Sequence, residues 1–81
     1  MEGYKKRMQK EYNELGERII RLENMLNKQR KGELEFEFDC PIDLLERQLD
    51  AMREYFKILE ERAAIEDVPL SFSATAVGGG E

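Results

Sequence analysis

The stretch that decides the fold is residues 40–65, CPIDLLERQLDAMREYFKILEERAAI. Leu45, Leu49, Met52, Phe56, Leu59 and Ala63 recur in it at steps of 4, 3, 4, 3 and 4, the spacing that lines one face of an α-helix. A second stripe runs beside the first through Leu44, Tyr55, Ile58 and Ile65, with Gln48 and Arg62 as its polar members. Two adjacent apolar stripes give one helix two surfaces to bury. A lone hairpin offers it only one partner, so the second stripe predicts self-association. At the start of the stretch, Pro41 suits the first helical position. Asp43 and Glu46 sit near the positive end of the helix dipole.

Towards the N-terminus a second amphipathic helix is predicted over about residues 2–31. Its apolar residues are Tyr4, Met8, Tyr12, Leu15, Ile19, Leu22 and Leu26, again at helical spacing, and Ile20 and Met25 widen the face. Gly16 interrupts the run at about 1 kcal/mol relative to alanine, either as a tolerated weak point or as a place of close approach or kinking. Gly32 reads as a left-handed cap, with Lys28, Arg30 and Lys31 at the negative end of the dipole.

Between the helices, residues 33–39 alternate apolar and acidic. A period of two suits a strand. With no second strand to pair, the expected form is an extended connector over residues 32–40 that tucks Leu34, Phe36 and Phe38 onto the helices. An intermolecular strand pair is the alternative. The expected fold is all-α: an antiparallel hairpin of two long amphipathic helices in one domain, residues 1–70, oligomerising into a helical bundle. Residues 71–81 are small, polar and glycine-rich, and read as a flexible tail.

Composition narrows the function. A chain of 81 residues gains little stability from its own core, roughly 3–5 kcal/mol, without a staple or partner. Cys40 has no second cysteine to bond, and the sequence has no histidine, so neither a disulfide nor a zinc site is expected. No cofactor is expected. Catalysis lacks a base to activate Cys40 and a glycine-rich phosphate loop, and the carboxylates read as solvated charges, so the chain is not expected to be an enzyme. The net charge of −5 argues against a DNA- or RNA-polymer binder. The charge is uneven: residues 1–32 carry a net +4 and residues 33–81 a net −9. The basic half suits a small anion or the acidic half of a neighbouring copy. No segment is long and apolar enough for a membrane span and no signal peptide is evident, so a cytoplasmic location is expected.

The candidate binding residues flank the stripes. Tyr4 stands beside Lys5, Lys6 and Arg7, and a tyrosine stacks on bases while arginine forks onto phosphate. The plainer reading is that Tyr4 caps the core stripe and the basic cluster is solvated. Arg18 borders the apolar face. Gln48, Tyr55 and Arg62 form a line on the second helix, either an interhelical hydrogen-bond ladder or a ligand surface.

The run from Tyr4 to Met8, with Glu11, Glu14, Glu17, Arg18 and Ile19, and the helix-2 pattern Gln48…Met52…Tyr55…Leu59…Arg62 resemble a phage family. It is the family of small helical proteins related to a crAss-like phage protein, which includes a phage anti-CBASS protein. The resemblance covers roughly residues 4–66. It implies a sponge that captures cyclic oligonucleotide signals of bacterial antiviral defence without cleaving them. It implies a hexamer holding cyclic dinucleotides between protomers, and in some members cyclic trinucleotides at separate sites. Tyr4 would stack on a base and Arg18 would meet phosphate, with Arg7 in the same motif; Gln48, Tyr55 and Arg62 would line an interface or a second pocket. The strongly acidic connector departs from the pattern and would repel phosphate. Two readings of other classes stand beside it: a helical protein-binding or inhibitory module, and a structural component of a phage or mobile element.

Overall fold

The computed structural model describes residues 2–34 and 37–71, and contains two helices, α1 (Glu2–Arg30) and α2 (Ile42–Glu66), packed against each other as a hairpin. Phe36 and the proposed tail from residue 72 onwards lie outside the described residues.

The packing follows the periodicity. On α1 the buried hydrophobic residues are Met8, Tyr12, Leu15, Ile19, Leu22 and Leu26; on α2 they are Leu49, Leu59 and Ala63. Tyr4, Leu45, Met52 and Phe56 complete the seam as partly buried residues. Leu59 and Leu26 are the most deeply enclosed, at 0% and 1% exposure. Burying a leucine of this kind stabilises the fold by roughly 1.5–3 kcal/mol. Gly16 is buried within an uninterrupted helix, so the chain runs through it without a break.

The two helix ends are closed by the same device. Gly32 takes φ 73°, its N–H donates to the Gln29 carbonyl at 3.1 Å, and the Glu33 N–H donates to the Lys28 carbonyl at 2.8 Å. This double closure by a left-handed residue satisfies carbonyls that the helix itself leaves open. At the end of α2 the left-handed residue is Asp67, φ 60°, and the Val68 N–H reaches the Ala63 carbonyl at 2.8 Å. Val68 then folds back and is buried, with Leu70 packed on the same core. The Gln9 amide donates to the Pro69 carbonyl at 2.7 Å and pins this return to the first turns of α1.

Pro41 is displaced by one position from its predicted place. It is the residue before the helix, with extended backbone (φ −62°, ψ 146°), and its carbonyl accepts from the Leu44 and Leu45 N–H groups. Proline's fixed φ suits either position, and its ψ here belongs to the incoming chain. Among the described residues of the connector there is no strand; Phe38 packs on the core and Leu34 is half-buried.

Candidate functional site

The hairpin has two edges, and ion pairs identify one of them. Arg53 of α2 bonds Glu23 of α1, and Arg30 of α1 bonds Glu46 of α2 at 3.1 Å. Further along the same edge the Tyr12 hydroxyl donates to Glu60 at 2.6 Å, while its ring stacks on Phe56 at 4.2 Å between centroids. Burial pushes the Tyr12 phenol up to about 12, and its bond to the Glu60 carboxylate and that group's negative charge add to the shift.

A helix turns about 100° per residue. On α1 this places Glu23, Asn27 and Arg30 to one side of the core-facing line and Tyr4, Arg7 and Arg18 to the other. On α2 it places Glu46, Arg53 and Glu60 to one side and Leu44, Gln48, Tyr55 and Arg62 to the other. Since the ion pairs join the first two sets, the second two share the opposite edge. All six candidate residues thus lie on one edge of the molecule.

They do not converge to one point. Tyr4 and Arg18, and likewise Gln48 and Arg62, stand about 21 Å apart at 1.5 Å per residue. The contacts of Tyr12 with Phe56 and Glu60, and of Glu23 with Arg53, bring Arg18 level with residues 54–58. Arg18 and Tyr55 are accordingly the pair that the hairpin sets side by side on this edge. Tyr4 is only half available: part of its side chain packs on the core. Arg7 and Arg18 are exposed and form no ion pair among the described residues, whereas Arg62 faces Glu66 at 3.6 Å. The Gln48 amide lies 3.8 Å from the Met52 sulfur. Glu11 and Glu14 stand among the arginines, so the edge is mixed rather than uniformly basic.

Sequence reasoning missed two features. One is an open groove of about 490 Å³ on the ion-paired edge, lined by Glu23, Asn27, Arg30, Glu46, Asp50 and Arg53. Its two arginines are held by three carboxylates, so it offers an anion no free positive charge. The second is a groove of about 370 Å³ at the connector, where Gln29, Phe38, Cys40 and Ile42 meet. Cys40 there is a half-buried free thiol. Neither groove was legible beforehand, because the first arises between the two packed helices and the second where the connector meets the helix ends. None of the six candidates lines either one.

The decisive comparison is with protein families. The sequence profile named Sequestin matches residues 2–65, both helices and the connector between them. The chain belongs to the Sequestin family. The family name denotes sequestration, holding a ligand rather than transforming it. No curated protein and no solved structure matches the chain. No described helix of this Sequestin-family member is long and apolar enough to cross a membrane. Among the described residues, no three His, Cys, Asp or Glu side chains gather where they would hold a metal ion.

Proposed function

We propose that this chain is a phage anti-defence sponge that binds cyclic dinucleotides, or cyclic trinucleotides, in the bacterial cytosol and withholds them without cleavage. The observation that carries the reading is membership of the Sequestin family across the whole hairpin. The likeness to the family that includes an anti-CBASS protein supplies the ligand class. The edge bearing Tyr4, Arg7, Arg18, Gln48, Tyr55 and Arg62 supplies aromatic faces, and in Arg7 and Arg18 guanidiniums with no ion pair among the described residues, the groups that bind bases and phosphates.

Energetics favour a site shared between copies. Holding a messenger near nanomolar levels takes about −12 kcal/mol. One tyrosine stacking on a base is worth roughly 1–3 kcal/mol and an exposed charged hydrogen bond of the same order, so one edge of one chain falls short. Symmetry-related edges double each contact, and a dinucleotide with two-fold symmetry matches a two-fold interface. The expected assembly is a homo-oligomer, a hexamer by the same likeness.

Calorimetric titration with cyclic di- and trinucleotides tests the reading, followed by denaturation and recovery of the ligand. Tight binding with intact ligand is expected. Arg18→Ala should weaken binding by about 1.5–3 kcal/mol with the melting temperature unchanged, since the side chain is exposed. Because Tyr4 also packs on the core, Tyr4→Leu is the informative change: it keeps an apolar contact and removes the stacking face. A wild-type protein that binds neither ligand class refutes the proposal. The exposed apolar stripe and acidic second half then favour the alternative, a helical module that docks on another protein.

A further inference from the structure

Among the described residues, the large apolar side chains left most exposed are Leu44 (45%), Tyr55 (40%), Ile58 (43%) and Ile65 (85%), and all four fall on one stripe of α2. With Gln48, Ala51 and Arg62 between them, the stripe reads Leu44, Gln48, Ala51, Tyr55, Ile58, Arg62, Ile65, at steps of 4, 3, 4, 3, 4 and 3. That is the 3.5-residue period by which one helix meets another along its length. An apolar row of this kind, left outside the seam with α1, marks an interface.

The order of the row identifies the partner. Read from either end it runs apolar, polar, apolar, tyrosine, apolar, polar, apolar. A two-fold axis perpendicular to α2 and passing near Tyr55 therefore brings Leu44 opposite Ile65 of a second copy and Gln48 opposite Arg62. It also sets small Ala51 opposite large Ile58, and Tyr55 opposite its own equivalent. A surface meeting itself about a two-fold must be self-complementary in this sense. The parallel arrangement fails on charge, because it would set Arg62 against Arg62 within the seam. On the outer flank the antiparallel arrangement pairs Arg47 with Glu61 twice, which offsets one Glu54–Glu54 approach at the axis.

We propose that α2 pairs antiparallel with α2 of a second copy through this stripe, centred on Tyr55. The pairing deepens the proposed oligomer and is independent of the ligand. It also specifies more than association. Arg18 is level with residues 54–58 on the same edge, so the axis gathers two Tyr55 rings and brings two Arg18 guanidiniums towards each other. Two like charges converging on a two-fold axis form a receptor for a symmetric dianion, and the site is incomplete in one copy. A hexamer built from three such pairs would contain the site three times.

Cysteine cross-linking in a full-length Cys40→Ser background decides the register. Tyr55→Cys should give a disulfide-linked dimer under mild oxidation. Leu44→Cys and Ile65→Cys should each stay uncross-linked alone and link to each other when mixed. Ile58→Glu should yield a monomer that keeps its helical circular dichroism, since Ile58 faces outward in the single hairpin. Self-linking of Leu44→Cys or of Ile65→Cys means a parallel pair and overturns the register. A wild-type monomer in sedimentation at high micromolar concentration, or an Ile58→Glu protein that still assembles, overturns the interface. A wild-type protein that pairs in this register yet ignores cyclic nucleotides defeats the ligand reading and leaves the interface standing.

Discussion

Tyr12 concentrates three interactions in one side chain: a buried ring, a stack on Phe56 and a hydroxyl bond to Glu60. Its ionisation is pushed up to about 12 from the ordinary value of 10.0, so the folded protein holds this proton more tightly than the unfolded chain. The sign follows: the contribution to stability is complete below pH 10 and is lost as pH rises through about 12. Alkaline unfolding followed by circular dichroism should steepen in that window, and tyrosinate absorbance should show one of the three tyrosines titrating late. Tyr12→Phe should abolish the late step and cost about 1 kcal/mol at neutral pH, while the ring stack persists. Tyr12 was legible as a core position from its spacing. Its bond to Glu60 was not, because the partner is 48 residues away in sequence and only the packed hairpin brings the two together.

At the level of the helices, the end signals divide instructively. Gly32 announced its left-handed turn because glycine alone carries no steric cost there. Asp67 adopts the same conformation at φ 60° without that advantage and gave no comparable signal. The two positions should therefore respond oppositely. Gly32→Ala is expected to lower stability by about 1 kcal/mol through backbone strain alone, since open space surrounds the site. Asp67→Gly should raise it by a similar amount, read as a higher melting temperature. The buried return at Val68 also escaped the sequence reading, which ended the helix near Ile65; an apolar residue just past a left-handed cap is the pattern that reveals it. The two stripes of α2 were fully legible, because helical period is a property of the sequence. Which stripe faces α1 followed from the longer unbroken apolar run, from Leu45 to Ala63.

For the whole molecule, the hairpin buries α1 more completely than α2, leaving the second stripe of α2 uncovered. Neighbouring residues on α2 should accordingly report different events. Leu59→Glu places a carboxylate at a site with 0% exposure, a cost of several kcal/mol, and should abolish the cooperative thermal transition. Met52→Glu, on the same seam, should act in the same direction. These outcomes are read by thermal denaturation alongside sedimentation, which separates loss of fold from loss of assembly. The candidate site was legible as residue types and as an edge, because spacing assigns residues to faces. It was not legible as a pocket, and neither groove described above is lined by any of the six residues.

The Gln9–Pro69 bond has a practical consequence for protein engineering. It returns the chain after α2 to the first turns of α1, so both ends of the fold leave the molecule at the same pole. A fusion partner or affinity tag on either terminus would crowd Tyr4 and Arg7 and leave the connector pole clear. A short linker joining those ends, with a new opening beside the exposed Glu33, would give a circular permutant whose acidic helix is synthesised first. In that rearranged chain any attached cargo moves to the far pole, and the edge carrying Arg18 and Tyr55 is left unobstructed.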